Sequence, residues 1–216
     1  MKRRTFIAGL GSAAAWPVLA RAQQAAVPVV GWLSPRSADE DSDKTVPFFQ
    51  GLKEAGYVEG QNVAIQYRCA ENQLDRLAAL AVDLVRRRVA VIVASGSIAA
   101  LAAKAATTTI PIVFTVGTDP VALGLVASIN RPGANVTGSA ALVSELSPKQ
   151  LQLLRELIPN AVAFGVLADP AFPDTQSVIA DLQAAALTLG RQLVVVNART
   201  DSDLETARHI SCSQGL

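Results

Sequence analysis

The 216-residue sequence holds 19 basic and 18 acidic side chains, with 50% hydrophobic and 17% charged residues. That balance excludes an intrinsically disordered chain and fits one large or two small well-buried domains. A near-neutral charge with no basic face also excludes the electrostatic footprint of a nucleic-acid or anionic-membrane binder.

Lys2, Arg3 and Arg4 precede an apolar segment from Phe6 to Leu19, and Ala20-Arg21-Ala22 supplies a small-x-small cleavage pattern. Residues 1–22 therefore read as a signal peptide removed before Gln23, with an apolar core too short to span a bilayer. Arg3-Arg4-Thr5-Phe6-Ile7 resembles a twin-arginine export signal, with Ala8 departing from that pattern; general secretory export is the alternative. Loss of Lys2, Arg3, Arg4 and Arg21, with no acid lost, moves the formal charge from +1 to −3. Neither Cys69 nor Cys212 stands where a lipid-modified cysteine would follow the signal, and a disulfide between them is not expected. A soluble periplasmic protein with no membrane insertion after cleavage is the expectation.

Along the mature chain, Val27 to Leu33 reads as a strand ending in Ser34-Pro35, followed by a loop rich in Asp and Ser as far as Lys44. Phe48, Phe49, Leu52 and Ala55 recur at helical spacing before Gly56, and Asn62 to Tyr67 alternates like a strand near a sheet edge. Leu74 to Val85 reads as a helix closed by Arg86-Arg87-Arg88, charges suited to a solvated helix end. Val91 to Ser95 is an unalternating apolar run that breaks at Gly96 and enters an alanine-rich helix, the pattern of a central strand buried on both faces. Pro111 to Val116 is a further strand leading into Gly117-Thr118-Asp119-Pro120, where another helix is expected to open. Four strands alternating with four helices predict a doubly wound parallel sheet.

Arg131 to Gly138 interrupts the alternation with turn residues around a short strand and marks the expected boundary between a first lobe, 23–138, and a second, 139–216. Ser147-Pro148-Lys149-Gln150 predicts a capped helix running to about Ile158. Val162 to Leu167 and Gln192 to Val196 read as strands flanking a helix from Thr175 to Leu189. A last helix is expected from Ser202, with Glu205 completing its capping box. Two strands are few for a covered sheet, and Ser211 to Leu216 lacks the apolar spacing of the preceding helix, so the second lobe is expected to be truncated.

Ligands of parallel α/β sheets collect at the carboxyl ends of the strands. Those loops hold Ser34, then Ser95, Gly96 and Ser97, then Thr115, Gly117, Thr118 and Asp119, and, in the second lobe, Asp169, Phe172 and Asp174. Hydroxyls and glycine beside a helix N-terminus suit an anion, or else Ser95 or Ser97 caps the helix. Asp119 and Asp174 suit a cation, or else are helix-cap and turn residues; Phe172 suits stacking on an apolar group, or covers its lobe. Together they suit an amino acid or similar small zwitterion. No Cys/His spacing, calcium loop, dinucleotide fingerprint or P-loop occurs, and His209 is the only histidine. No catalytic residue, metal or cofactor is therefore expected.

The segments Arg3 to Gly9, Gly56-Tyr57-Val58-Glu59-Gly60-Gln61-Asn62-Val63, Ala105 to Phe114, and Asn130-Arg131-Pro132-Gly133-Ala134-Asn135-Val136-Thr137-Gly138 resemble the ABC-transporter substrate-binding family, to about Ala207. The resemblance implies a type I periplasmic-binding-protein fold, two Rossmann-like lobes joined by hinge strands and closing on a small ligand, in some relatives an aromatic amino acid. It implies Ser95, Gly96, Ser97, Thr115, Gly117 and Asp119 as first-lobe contacts, and an inner-membrane ABC permease as partner. The sequence departs from the family at Cys69, where a Trp usually follows Tyr67-Arg68, and in ending early. The functional expectation is a periplasmic solute-binding component of an importer; a ligand-sensing domain, an α/β enzyme and a non-functional truncated copy are the alternatives.

Overall fold

The computed structural model describes residues 27–214, with side chains to Arg208; residues 1–26, which include the expected signal, Gly215, Leu216 and the side chains of His209 and Cys212 lie outside the described residues. The elements in chain order are β1 (Val29–Ser34), α1 (Ser42–Glu54), β2 (Ala64–Cys69), α2 (Leu77–Arg86), β3 (Val91–Ser95), α3 (Ser97–Ala106), β4 (Ile112–Val116) and β5 (Val136–Ala140). There follow α4 (Ser147–Leu157), β6 (Ala163–Ala168), α5 (Thr175–Thr188), β7 (Gln192–Asn197) and α6 (Asp201–Gln214).

The first five strands form one parallel sheet in the order β2-β1-β3-β4-β5. The apolar run at Val91 is its middle strand, and the alternating run at Ile65 is an edge. Strand β3 sends Ile92 and Ala94 into one apolar cluster and Val93 into another, which is why its sequence does not alternate. The larger cluster lies under α2 and α3, whose Leu77, Ala81, Leu84, Ala99, Ala100 and Ala103 are fully buried or nearly so. On the opposite face Trp32, Val30 and Val93 pack with Phe48 of α1. Helices therefore cover both faces, as a doubly wound sheet requires.

One expected helix is absent. After β4, residues 120–125 form turns instead of an α-helix: Leu123 N–H donates to Asp119 O, Leu125 N–H to Pro120 O, and Gly124 turns left-handed at φ +68°. Without that helix β4 buries Ile112, Phe114 and Val116 but leaves Val113 and Thr115 exposed. Strand β5 closes the sheet by pressing Gly138 against Phe114, where a Cβ would lie 2.1 Å from the Phe114 carbonyl oxygen. Only glycine permits that approach.

A second sheet pairs β6 and β7 in parallel, and among the described residues it has two strands. Its core joins Phe164 to Leu151 of α4 and to Leu182 and Ala186 of α5. Two caps differ from expectation. Ser147 is already helical, because a 3-10 turn over Val143–Leu146 feeds directly into α4, so no side chain caps it. At α6 the reciprocal box is formed by Thr200 and Asp203, not Ser202 and Glu205: Thr200 Oγ1 accepts from Asp203 N–H, and Asp203 Oδ2 from the N–H groups of Arg199 and Thr200. Those bonds hold the Asp203 carboxyl below the usual carboxylate range. Helix α6 also continues through Ser211 to Gln214.

Candidate ligand-binding site

Parallel pairing brings the strand ends level: Ser34 is in register with Cys69, and Ser95 with Thr115, itself in register with Ser139. These positions lie side by side at one edge because the strands of the sheet all run the same way. Ser34 and Ser95 are nonetheless fully buried. The Ser34 hydroxyl oxygen accepts Arg36 N–H at 3.2 Å, while the Ser95 hydroxyl donates to Asp41 Oδ1 at 3.4 Å and accepts from Lys44 Nζ at 3.3 Å. Both serines serve the interior of the protein.

Gly96, at φ +90° and ψ 163°, is the residue before α3, and no side chain caps that helix. Ser97 is its first helical residue and shares a hydrogen bond with Thr118 at 3.3 Å. The first-turn N–H groups of α3 have no intrahelical partner, so this end of the helix presents donors beside exposed Thr115. The backbone at Gly117 passes so close to Val143 that a Cβ would lie 2.8 Å from its side chain.

Thr118 and Asp119 then meet the loop between β6 and α5. They line a cleft of about 360 Å³ together with Glu145, Pro173, Asp174 and Asp181. Asp119 also accepts Val121 N–H at 2.8 Å, so it braces its own turn while bordering the cleft. Asp174 precedes α5 without a side-chain cap bond. Asp169 is used locally, accepting Ala171 N–H, and Phe172 is exposed; neither lines this cleft. Every charged residue of the lining is an acid, which gives the cleft a negative potential suited to a cationic group. Larger cavities of about 560 and 410 Å³ lie along α5–β7 and β6–β7 and hold no expected site residue.

Sequence reasoning missed a buried charge cluster at the ends of β1 and β3. Asp41 has no exposed surface. Its Oδ2 accepts the Trp32 indole N–H at 2.8 Å, and its Oδ1 lies 3.7 Å from Lys44 Nζ and 3.8 Å from the Arg36 guanidinium. Arg36 pairs more closely with Asp43, at 3.1 Å. The half-buried Cys69 thiol nearby is pushed up by burial and then by the Asp41 and Glu71 charges, so it resists ionisation. Among the described residues no group of three side chains could hold a metal ion, and no helix is long and apolar enough to cross a membrane.

The chain is 31% identical over 160 residues to a tyrosine-binding protein of Clostridioides difficile (strain R20291), an alignment covering 74% of this chain and 46% of that one. Its fold matches a conserved domain protein from Vibrio cholerae (TM-score 0.78, 29% identity, 87% of this chain and 63% of that chain). It also matches an ABC domain from Streptococcus pneumonia in complex with L-Trp (TM-score 0.76, 23% identity, 86% and 62%). The chain thus spans under half of that curated relative and under two thirds of these solved chains. The architecture is that of the type I periplasmic binding proteins. The model of the ABC transporter substrate binding proteins, a family of solute-binding proteins, matches residues 18–214, so the chain belongs to that family.

Proposed function

We propose that the protein is the solute-binding component of an ABC importer, taking a small solute such as an amino acid between lobes 23–138 and 139–216 and handing it to an inner-membrane permease. One observation carries the reading: loops from the two sheets, Thr118–Asp119 and Pro173–Asp174, line one acidic cleft next to the uncapped start of α3. A zwitterion fits both features, with its ammonium group toward Asp119 and Asp174 and its carboxylate toward Gly96, Ser97 and Thr115. Gly117 lets the backbone pass close to Val143, Asp169 and Phe172 belong to the second-lobe loop, and buried Ser34 and Ser95 support the turn from behind. Similarity to a tyrosine-binding protein and to a fold solved with L-Trp supports an aromatic amino acid as the solute.

Export follows from the amino-terminal signal, with cleavage after Ala22 and function in the periplasm. The binding test is thermal unfolding of the purified chain with each of L-tyrosine, L-tryptophan and L-leucine. A ligand at about a hundred times its Kd stabilises the folded state by about 2.7 kcal/mol, which appears as a raised Tm. Melting unchanged by all three would overturn the amino-acid reading.

A further inference from the structure

We propose that Lys44 receives the solute's carboxylate and that buried Asp41, acting across Ser95, positions it. The inference rests on the amino-acid reading above and adds a residue that the strand-end loops do not contain.

Arg36 has a close acid in Asp43, at 3.1 Å, whereas Lys44 has only long contacts, 3.3 Å to the Ser95 hydroxyl and 3.7 Å to Asp41. A charge-assisted N–H···O bond is normally about 2.7–2.9 Å, so Lys44 makes none of that quality, and with three donors it has room for a further acceptor. Its side chain is 41% exposed, while both groups that hold it are wholly buried. A lysine that merely solvated the surface would not need two buried polar partners 54 residues apart in sequence.

Burying Asp41 carries a desolvation cost unless charge and hydrogen bonds surround it. Here the Trp32 indole, the Ser95 hydroxyl and two cations do so. The carboxylate is thereby fixed, and it holds the ammonium against the residue just before Gly96. The α3 N-terminus and Lys44 then present positive charge at one place, while the cleft at Asp119 and Asp174 presents negative charge at another. An amino acid carries the complementary pair.

The experiment uses whichever of L-tyrosine, L-tryptophan and L-leucine binds the intact chain most tightly, and the carboxamide of that amino acid, measured by calorimetry. The wild-type protein should prefer the acid by about tenfold or more, the scale of one charge-assisted hydrogen bond. Lys44→Met should bring the two affinities within about twofold by weakening the acid alone, and Lys44→Arg should restore much of the preference. Asp41→Asn should reduce the same ratio, a readout that general destabilisation does not move; a melting curve shows that each variant is folded. Equal weakening of acid and amide by Lys44→Met, or no weakening of either, would overturn the assignment while leaving the amino-acid reading intact. A wild-type protein that binds none of the three overturns that reading and this one with it.

Discussion

Gly96 is the residue on which the candidate anion site turns. Its φ of +90° with ψ 163° is a conformation that side-chain-bearing residues adopt only under strain, yet a Cβ built there meets nothing within 4 Å. The glycine is therefore needed for backbone freedom and not for space, and Gly96→Ala should cost about 1–3 kcal/mol of stability in a urea titration. A cost under about 0.5 kcal/mol, the scale of an ordinary surface change, would show that the turn relaxes. The turn itself was legible in the sequence because an apolar run stopped at a glycine. Asp41 was not, since it shares a short stretch with Asp39, Glu40 and Asp43, and only folding distinguishes the one that is fully buried. Ser34 and Ser95 show the same limit from the other side: their types and positions suit a ligand, but their hydroxyls face inward.

Strands and helices with long apolar runs were readable because periodicity records which faces are covered, as in β3 and α2. Errors fell where a local signal met a tertiary demand. Asp119-Pro120 has the chemistry of a helix start, but left-handed Gly124 closes the segment after one turn. Thr200 outcompetes Ser202 as the cap of α6 because Asp203, three residues on, reaches back to its N–H. Between elements, Asp83 of α2 ties Arg68 of β2 to Arg87 at its own helix end. Hydrogen bonds from Arg87 and then Arg68 hold its carboxyl below the usual range, so the folded chain binds that proton less readily than the unfolded chain. The resulting stabilisation is present above the ordinary carboxylate range and is lost as pH falls from that range through the lower pKa of the folded state. Asp83→Asn should thus lower the urea midpoint at neutral pH and match the wild type in acid, and a difference that persists in acid would assign the effect to packing.

Over the whole molecule the two sheets are unequal. The first has five strands and helices on both faces, whereas the second has two strands among the described residues and leaves Val162 at 78% and Leu167 at 56% exposure. Local opening follows such differences in burial. Hydrogen exchange should therefore be slower in β3 and β4 than in β6 and β7, and equal protection would show that the smaller sheet is as well supported as the larger. That two parallel sheets would form was legible from the repeated strand–helix pattern; how their end loops meet was not, because no periodicity encodes the approach of residues as distant as Asp119 and Asp174. The hydrogen bond from Trp32 to Asp41 has a spectroscopic consequence. Trp16 lies in the proposed signal, which leaves Trp32 as the tryptophan of residues 23–216, with its N–H on the carboxylate proposed to position Lys44. Its emission should respond to the electric field at the strand ends, so on the proposed reading the arrival of a charged solute would be recorded there without a label.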